Sequence, residues 1–304
     1  MKAVSLFSGC GGTDLGLKNA GIDVIFANDI SSWACKTYEE NLGAIVHSDI
    51  KKIESFPRAD LLVGCFPCQG FSLARRKTGP DPRNLLYLEF ERALSQVKPD
   101  FFVTENVKGL ISQNGIATFQ DMLLKFGRRY DVSWKVINAK DYGVPQDRER
   151  VFIVGVKKSL KEKFVFPEPT HGPGKKKYVN LRKSIGNMPK PKEDEIYNKG
   201  FSWHYLSRNR KRKWDDVSFT IQASGRHAPL HPSGPQPVHV GKDKFILPSP
   251  EEKHRRLSYK ECAVIQSFPR RFKFYGHLEA KYMQIGNAVP PKISEMIVSA
   301  IKEL

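Results

Sequence analysis

Over its first 156 residues the 304-residue chain alternates short runs of apolar, often β-branched residues with segments of helical periodicity. The strand candidates are 3–7, 23–28, 44–47, 61–64, 101–105, 134–138 and 151–156, and the amphipathic stretches between them include 13–20, 32–41, 85–96 and 118–126. Strands separated by helix-length segments predict an α/β domain on a mostly parallel sheet. Such a sheet gathers ligands beyond the carboxyl ends of its strands, so the residues that follow each run are where chemistry is to be sought.

From residue 166 the texture changes. Pro167, Pro169, Gly172, Pro173 and Gly174, followed by the lysines 175–177, read as a linker, and the Pro/Gly-rich stretch 228–241 makes regular elements improbable there. The charge follows the same division. Of the formal net charge of +18, +14 lies in residues 157–260, with 24 basic and 10 acidic residues, whereas 1–156 holds 20 and 18. Aromatic residues among those charges, including Phe201, Trp203, Tyr205, Trp214, Phe219 and Phe245, argue for a folded, loop-rich nucleic-acid-binding module rather than a solvated tail. Helical periodicity returns in 295–304. No run approaches the ~18 apolar residues of a membrane helix, the N-terminus is unlike a signal peptide, and five cysteines are too few for a secreted disulfide framework. A cytoplasmic protein with no membrane partner and no bound metal is the expectation.

Phe7-Ser8-Gly9-Cys10-Gly11-Gly12 follows the first strand candidate and opens a helical run, as in nucleotide-binding α/β folds, although the G-x-G-x-x-G spacing is not reproduced. Asp29 ends the second strand candidate, where an acid takes ribose hydroxyls, and Asp49 follows the third, where it can accept from an adenine amino group. Each acid alone is more often a cap or turn residue. Together they indicate an adenosine-type cofactor, and spacing leaves NAD and S-adenosylmethionine both open.

The fourth strand candidate breaks into Gly64-Cys65-Phe66-Pro67-Cys68-Gln69-Gly70-Phe71-Ser72, a turn that displays Cys68. A buried thiol, a redox pair and half a zinc site compete with a nucleophile here; the lack of a second cysteine pair excludes a four-thiolate zinc site. Glu105-Asn106-Val107 ends another strand candidate, and Gln146-Asp147-Arg148-Glu149-Arg150 precedes the last one. A thiolate, a carboxyl and two arginines at neighbouring strand ends have the parts to attack a heteroaromatic ring: addition at carbon 6 of cytosine makes carbon 5 an enamine able to take an electrophilic methyl group.

These blocks, with Gln284-Ile285-Gly286-Asn287-Ala288-Val289-Pro290, resemble in order those of the cytosine-5 DNA methyltransferases. The resemblance implies a Rossmann-like S-adenosylmethionine-dependent methyltransferase sheet, formed by 1–165 and 277–304, and a smaller, loop-rich target-recognition domain at 166–276. It makes Cys68 the nucleophile, Glu105 the contact to ring nitrogen 3 and the exocyclic amine, and Arg148 and Arg150 the residues that orient the base and catalytic groups. It assigns Phe7, Gly9, Gly11, Asp29, Ile30, Asp49, Ile50, Leu86 and Asn287 to the cofactor, whose product is S-adenosylhomocysteine. Two departures stand out: Cys65 replaces a frequent glycine, raising the possibility of an inactivating Cys65–Cys68 bond, and Asp29 replaces a frequent glutamate.

The basic third resembles a narrower group, the bacterial modification methylases that act on GGCC. The resemblance rests on Ser207-Arg208-Asn209-Arg210-Lys211-Arg212-Lys213-Trp214, Phe219-Thr220-Ile221-Gln222-Ala223-Ser224-Gly225-Arg226 and Leu230-His231-Pro232. Arg208, Arg210 and Arg226 are then the expected guanine readers, with Gln69 and Ser72 also on DNA, while Lys211, Arg212, Lys213 and 175–177 suit phosphates. The implied partner is double-stranded DNA, bound by a monomer, with a cognate restriction endonuclease acting on the same site. The alternative on the same fold is a transfer RNA cytosine-5 methyltransferase.

Overall fold

A computed structural model of the chain describes residues 1–67, 85–248 and 254–304. All seven strand candidates are strands: β1 (Lys2–Leu6), β2 (Asp23–Asp29), β3 (Val46–His47), β4 (Leu61–Gly64), β5 (Phe101–Val107), β6 (Tyr130–Asn138) and β7 (Glu149–Lys157). They form one sheet in the order β3-β2-β1-β4-β5-β7-β6. The pairs among β3, β2, β1, β4 and β5 are parallel, and β7 pairs antiparallel with both β5 and β6. Both faces of the central strands are covered: β4 is buried throughout and β5, apolar at its start and polar from Thr104 to Asn106, at every residue but its last.

Four helices follow the early strands: α1 (Gly12–Asn19), α2 (Ser32–Leu42), α3 (Tyr87–Val97) and α4 (Ile116–Phe126). The Ser31 hydroxyl caps α2 by accepting from Ala34 N. On α3, Tyr87, Phe90, Ala93, Leu94 and Val97 recur at helical spacing and are all buried, which is why this segment lies against the sheet. Phe90, Phe102 and Phe126 pack edge to face there, with centroids 5.2–5.9 Å apart.

The chain divides into two compact units. The first is Met1–Asn138, Glu149–Glu168 and Pro291–Leu304; the second is Ala139–Arg148 and Pro169–Pro290. The chain thus returns to the sheet unit at its end, through α8 (Pro291–Ile301), which packs on α1. Gly16 makes that approach possible: a Cβ there would sit 2.5 Å from Pro291 O and 2.6 Å from Ser294 Cβ. The sequence boundaries drawn at 165/166 and 276/277 differ from these units at three places: the segment Ala139–Arg148 and residues 277–290, which include the helix α7 (Leu278–Asn287), group with the second unit, and residues 166–168 group with the first.

The second unit has few regular elements: α5 (Leu181–Ile185), a hairpin of β8 (Val238–Gly241) and β9 (Lys244–Ile246), α6 (Tyr259–Ile265) and α7. The hairpin corrects the expectation that 228–241 lacks regular structure; its turn places Asp243 at φ 52°. Irregular backbone leaves carbonyls without ladder partners, and burying them needs donors from side chains. Long cations supply many here. Arg148, 2% exposed, donates to Ile221 O, Gly286 O and Ala288 O at 3.0–3.2 Å. Lys211, 3% exposed, points its ammonium at the carbonyls of Ser233, Gly234 and Pro235. Gln146 accepts from Ile221 N and donates to Gln266, which donates in turn to Ile285 O.

Candidate active site

Within the first unit, the site assembles at the carboxyl ends of β1, β2, β4 and β5. Beyond β1 the chain turns sharply, with Phe7 and Gly9 both at φ 55° and Gly11 at φ 89°. Gly11 has a second constraint, since a Cβ would fall 2.2 Å from Leu42 Cδ1. The turn delivers the chain into α1, whose N-cap Gly11 offers no side-chain cap to the first amides. Beneath it lies Asp14, 1% exposed; burial pushes its carboxyl up to about 6, against the opposing effect of the Ser5, Tyr38 and Ser8 hydroxyls.

Asp29 ends β2 with both carboxylate oxygens fixed by backbone amides: Gly9 N donates to Oδ2 and Ser31 N to Oδ1, each at 2.8 Å. Burial raises its pKa, and the amides of Ser31, Gly9 and Ile30 oppose that shift. Each oxygen keeps acceptor capacity beyond one N–H. The next residue, Ile30, is 67% exposed. Buried Asn28 ties the neighbouring strand end in place by donating to Val46 O and Ser48 O, and Asp49 follows, its Oδ1 accepting from Lys51 N at 3.0 Å. A second brace comes from Arg92 on α3, which donates to Ile50 O and Ile53 O at 2.9 Å and stacks over Phe56.

This donor set fits an adenosine-type cofactor. A Cβ on Gly9 would meet nothing within 4 Å, so there is open space above the turn. Two oriented carboxylates suit a ribose diol and an exocyclic amine, and the exposed Ile30 offers an apolar surface for a purine ring to cover. Of the other residues assigned to the cofactor, Ile50 is 4% exposed and its side chain belongs to the core, and Leu86, at the start of α3, packs partly against the same core. Asn287 is exposed at the end of α7, in the second unit.

Glu105 lies at the end of β5, where Phe152 is its cross-strand partner; Arg150 is paired with Val107. The two are therefore diagonal neighbours on one face of an antiparallel pair, a separation that long side chains bridge. The bridge forms: Arg150 Nε is 3.1 Å from Glu105 Oε1, with the side chains 17% and 10% exposed. Desolvation lowers the Arg150 pKa and the Glu105 charge opposes it. Adjacent Asn106 donates to Phe66 O at 3.2 Å, fixing the strand end from which Cys68 follows. Cys68, Gln69 and Ser72 themselves lie outside the described residues. The other thiol of this turn, Cys65, contacts Thr13 Oγ1 at 3.6 Å, and burial with the Glu105 charge pushes it up to about 12. It is held as a thiol, which disfavours the thiolate needed for a Cys65–Cys68 bond.

Arg148, expected beside Arg150, makes its described hydrogen bonds inside the second unit, to two carbonyls at the carboxyl end of α7 and to Ile221 O. Among the expected DNA readers, Arg208 and Arg226 are exposed. Arg210 is 9% exposed; its Nε donates to Tyr205 O and its guanidinium lies 4.8 Å from the centre of the Tyr205 ring. Lys211, expected on phosphate, serves the loop at 233–235 instead. Arg256 opens a block, with Leu257, Glu261, Cys262 and 266–269, that also resembles the GGCC-specific group, but sequence reasoning assigned no role to Arg256 itself. It is 2% exposed, donates to four backbone carbonyls and sits among Tyr197, Phe201 and Tyr205; no local pattern distinguishes such an arginine from a surface one.

The family model for the C-5 cytosine-specific DNA methylases matches residues 1–303. The chain belongs to that family. Its relatives include the Type II methyltransferase M.BspRI of Lysinibacillus sphaericus, 42% identical over 99% of this chain and 81% of that protein. The Type II methyltransferase M.MthTI of Methanothermobacter thermautotrophicus is also 42% identical, over 100% of this chain and 97% of its own length. The fold is shared with a crystal structure described as a prophage-encoded DNA modification methyltransferase of E. coli, at a TM-score of 0.75 and 23% identity over 100% of this chain and 99% of that one. The C-5 cytosine-specific DNA methylases take their methyl group from S-adenosylmethionine, in keeping with the donor set at Gly9, Asp29 and Asp49. Among the described residues no helix is long and apolar enough to cross a membrane.

Proposed function

We propose that this C-5 cytosine-specific DNA methylase modifies a cytosine within GGCC in double-stranded DNA, as the modification enzyme of a Type II restriction–modification system, working through a covalent Cys68 adduct. The observation that carries the chemical part is the Arg150–Glu105 pair, a carboxylate held by a guanidinium at the end of β5, the strand paired with β4, which Cys68 follows in sequence. Because the reacting carbons of cytosine lie inside the base stack, the base is flipped out of the duplex. The Cys68 thiolate adds to carbon 6 while Glu105 shares a proton with ring nitrogen 3, taken back when the ring is restored, and accepts from the exocyclic amine; the electron pair of the carbon 5–carbon 6 double bond becomes available at carbon 5. S-adenosylmethionine, when bound at Asp29, Ile30 and Asp49, supplies the methyl group as an electrophile. Loss of the carbon 5 proton to a base then expels the thiolate by β-elimination and restores the ring. Arg150 orients Glu105, and Arg148 acts at a distance by holding the backbone around Ile221, Gly286 and Ala288.

The second unit is the target-recognition part of this reading. Its own sequence resembles the GGCC-specific group, and the relatives M.BspRI and M.MthTI are Type II methyltransferases. Arg208, Arg210 and Arg226 meet guanine O6 and N7, with Arg210 preoriented by its bond to Tyr205 O so that the outer nitrogens of its fork do the reading. The test is methyl transfer from labelled S-adenosylmethionine to duplexes with and without GGCC, and to transfer RNA in competition, by wild type and Cys68→Ser. Label on GGCC duplex, lost in Cys68→Ser, is expected. Preference for transfer RNA, or label that survives the substitution, contradicts the proposal.

A further inference from the structure

Residues 157–163 count in the sequence among the basic third, but the structure groups them with the first unit. There they meet the start of β6. Lys158 N donates to Arg129 O at 3.1 Å, and Lys157 is the cross-strand partner of Tyr130. The Tyr130 hydroxyl donates to Pro99 O at 2.9 Å, which brings in Lys98 at the end of α3, and Arg129 Nη1 donates to Ser95 Oγ at 3.0 Å. Lys161 N closes the turn after β7 on Lys158 O at 3.2 Å. These contacts gather Lys98, Arg128, Arg129, Lys158 and Lys161 at one end of the sheet. It is the end remote from the candidate active site: β5 starts here at Phe101 and runs 7 residues, about 20 Å, toward Glu105 and Val107.

The segments 125–131 and 157–163 hold seven basic and two acidic residues, whereas 1–156 as a whole is nearly neutral. Lys98, Arg128, Arg129, Lys158, Lys161 and Lys163 are exposed, and none of them forms an ion pair among the described residues. Asp100 and Asp121 are engaged by other lysines, Lys157 at 2.9 Å and Lys125 at 3.8 Å, which leaves Glu91, Asp131 and Glu162 against those exposed cations. The carboxyl ends of α3 and α4 favour nearby positive charge and account for part of the cluster. They do not account for Lys158, Lys161 and Lys163, which follow a strand. Lys98 and Lys161 also occupy left-handed backbone, at φ 49° and 59°, where glycine or asparagine costs less. Lysine at both positions puts a cation on the surface at the expense of backbone energy.

We propose that this end of the first unit binds a second segment of duplex DNA through its phosphates, apart from the segment being methylated. The proposal rests on membership of the C-5 cytosine-specific DNA methylases and is independent of the GGCC assignment. A duplex carries a phosphate charge about every 1.7 Å of its axis, a density that separate, exposed lysines and arginines match without a shaped pocket. A further stretch of the DNA already bound is also the polyanion with the highest effective concentration at the enzyme. The consequence is transfer between segments, in which a new stretch is held before the old one is released.

The full-length enzyme is first locked, with S-adenosylmethionine, on a short GGCC duplex carrying 5-fluorocytosine at the target, where fluorine replaces the carbon 5 proton whose loss frees Cys68. A second, fluorescent duplex without GGCC is then titrated and followed by anisotropy, for wild type and for Arg128→Ala/Arg129→Ala/Lys158→Ala. The wild-type adduct should bind it. Between about 50 and 200 mM salt its affinity should fall about 40-fold further than that of the variant, which lacks three phosphate contacts. The variant should methylate a short duplex as fast as wild type and melt with it. A wild-type adduct that does not bind the second duplex, or a variant adduct that binds it like wild type, overturns the proposal. Poly-glutamate bound as tightly as the duplex overturns it in favour of an acidic protein partner. If no adduct forms, the Cys68 and GGCC reading fails instead, and the second site is decided on the free enzyme: two duplexes per chain in wild type and one in the variant support it, and equal stoichiometry overturns it.

Discussion

Arg148 lies within a sequence block shared with Arg150, yet the structure gives it different work. Replacing it with methionine keeps the length of the side chain and removes three donors, leaving Ile221 O, Gly286 O and Ala288 O without them. Hydrogen bonds to a charged donor contribute roughly 1.5–3 kcal/mol each, so the gross loss is about 4–9 kcal/mol. Releasing a buried guanidinium from its desolvation penalty returns several kcal/mol, and a net cost of ~3 kcal/mol remains. For a domain of this size that corresponds to a fall of about 6–12 °C in Tm. Thermal unfolding followed by near-ultraviolet circular dichroism, with Arg148→Lys alongside, is the assay; lysine should reach some of the carbonyls and give an intermediate Tm. If Arg148→Met melts within ~2 °C of wild type but has lost turnover, the side chain acts on substrate and the structural role assigned to it is refuted.

Three further outcomes are expected. Asp14 has a folded pKa of about 6 against an ordinary 3.8, so the native state binds its proton more tightly than the unfolded chain, and its contribution to stability is present at low pH and lost as pH rises through about 6. Asp14→Asn should therefore gain stability over wild type by ~3 kcal/mol between pH 4 and 7 in urea titrations, since each pKa unit is worth 1.36 kcal/mol; a constant difference across that range would contradict the burial argument. Lys211→Met should leave the salt dependence of DNA binding unchanged while exposed Lys213→Gln lowers the slope by ~1, because one phosphate contact accounts for about that much; a reduced slope in Lys211→Met would place its ammonium on DNA after all. Arg208→Gln or Arg226→Gln should relax the choice of methylated sequence by ~1–3 kcal/mol at one guanine with little change in the salt slope, as read from sequencing of methylated cytosines.

The sheet was legible because each of its strands carries its own local signal. Residues 61–64 and 101–103 carry no polar side chain, and the structure buries both. What local pattern could not convey is direction: β7 follows β6 closely enough to form an antiparallel pair and then inserts antiparallel beside β5, so β7 alone runs against the other strands of the sheet. The site at Asp29 and the Glu105–Arg150 pair was visible as motifs at strand ends. The interior of the second unit was not. Lys211 and Arg256 are indistinguishable in sequence from the exposed Arg208 and Lys213, yet the first two fill a demand for donors created by buried irregular backbone. The excess of positive charge in residues 157–260 is thus only partly a footprint for a polyanion; some of it holds the unit together from within.

The account stands most directly on where the methyl group goes. Duplex DNA of mixed sequence, exposed to the enzyme with S-adenosylmethionine and read for 5-methylcytosine at single-base resolution, should carry the modification at one cytosine of GGCC and nowhere else at comparable frequency. The same DNA treated with Cys68→Ser should carry none. Methylation spread over sites unrelated to GGCC would contradict the assignment of the second unit, and methylation by Cys68→Ser would contradict the chemistry.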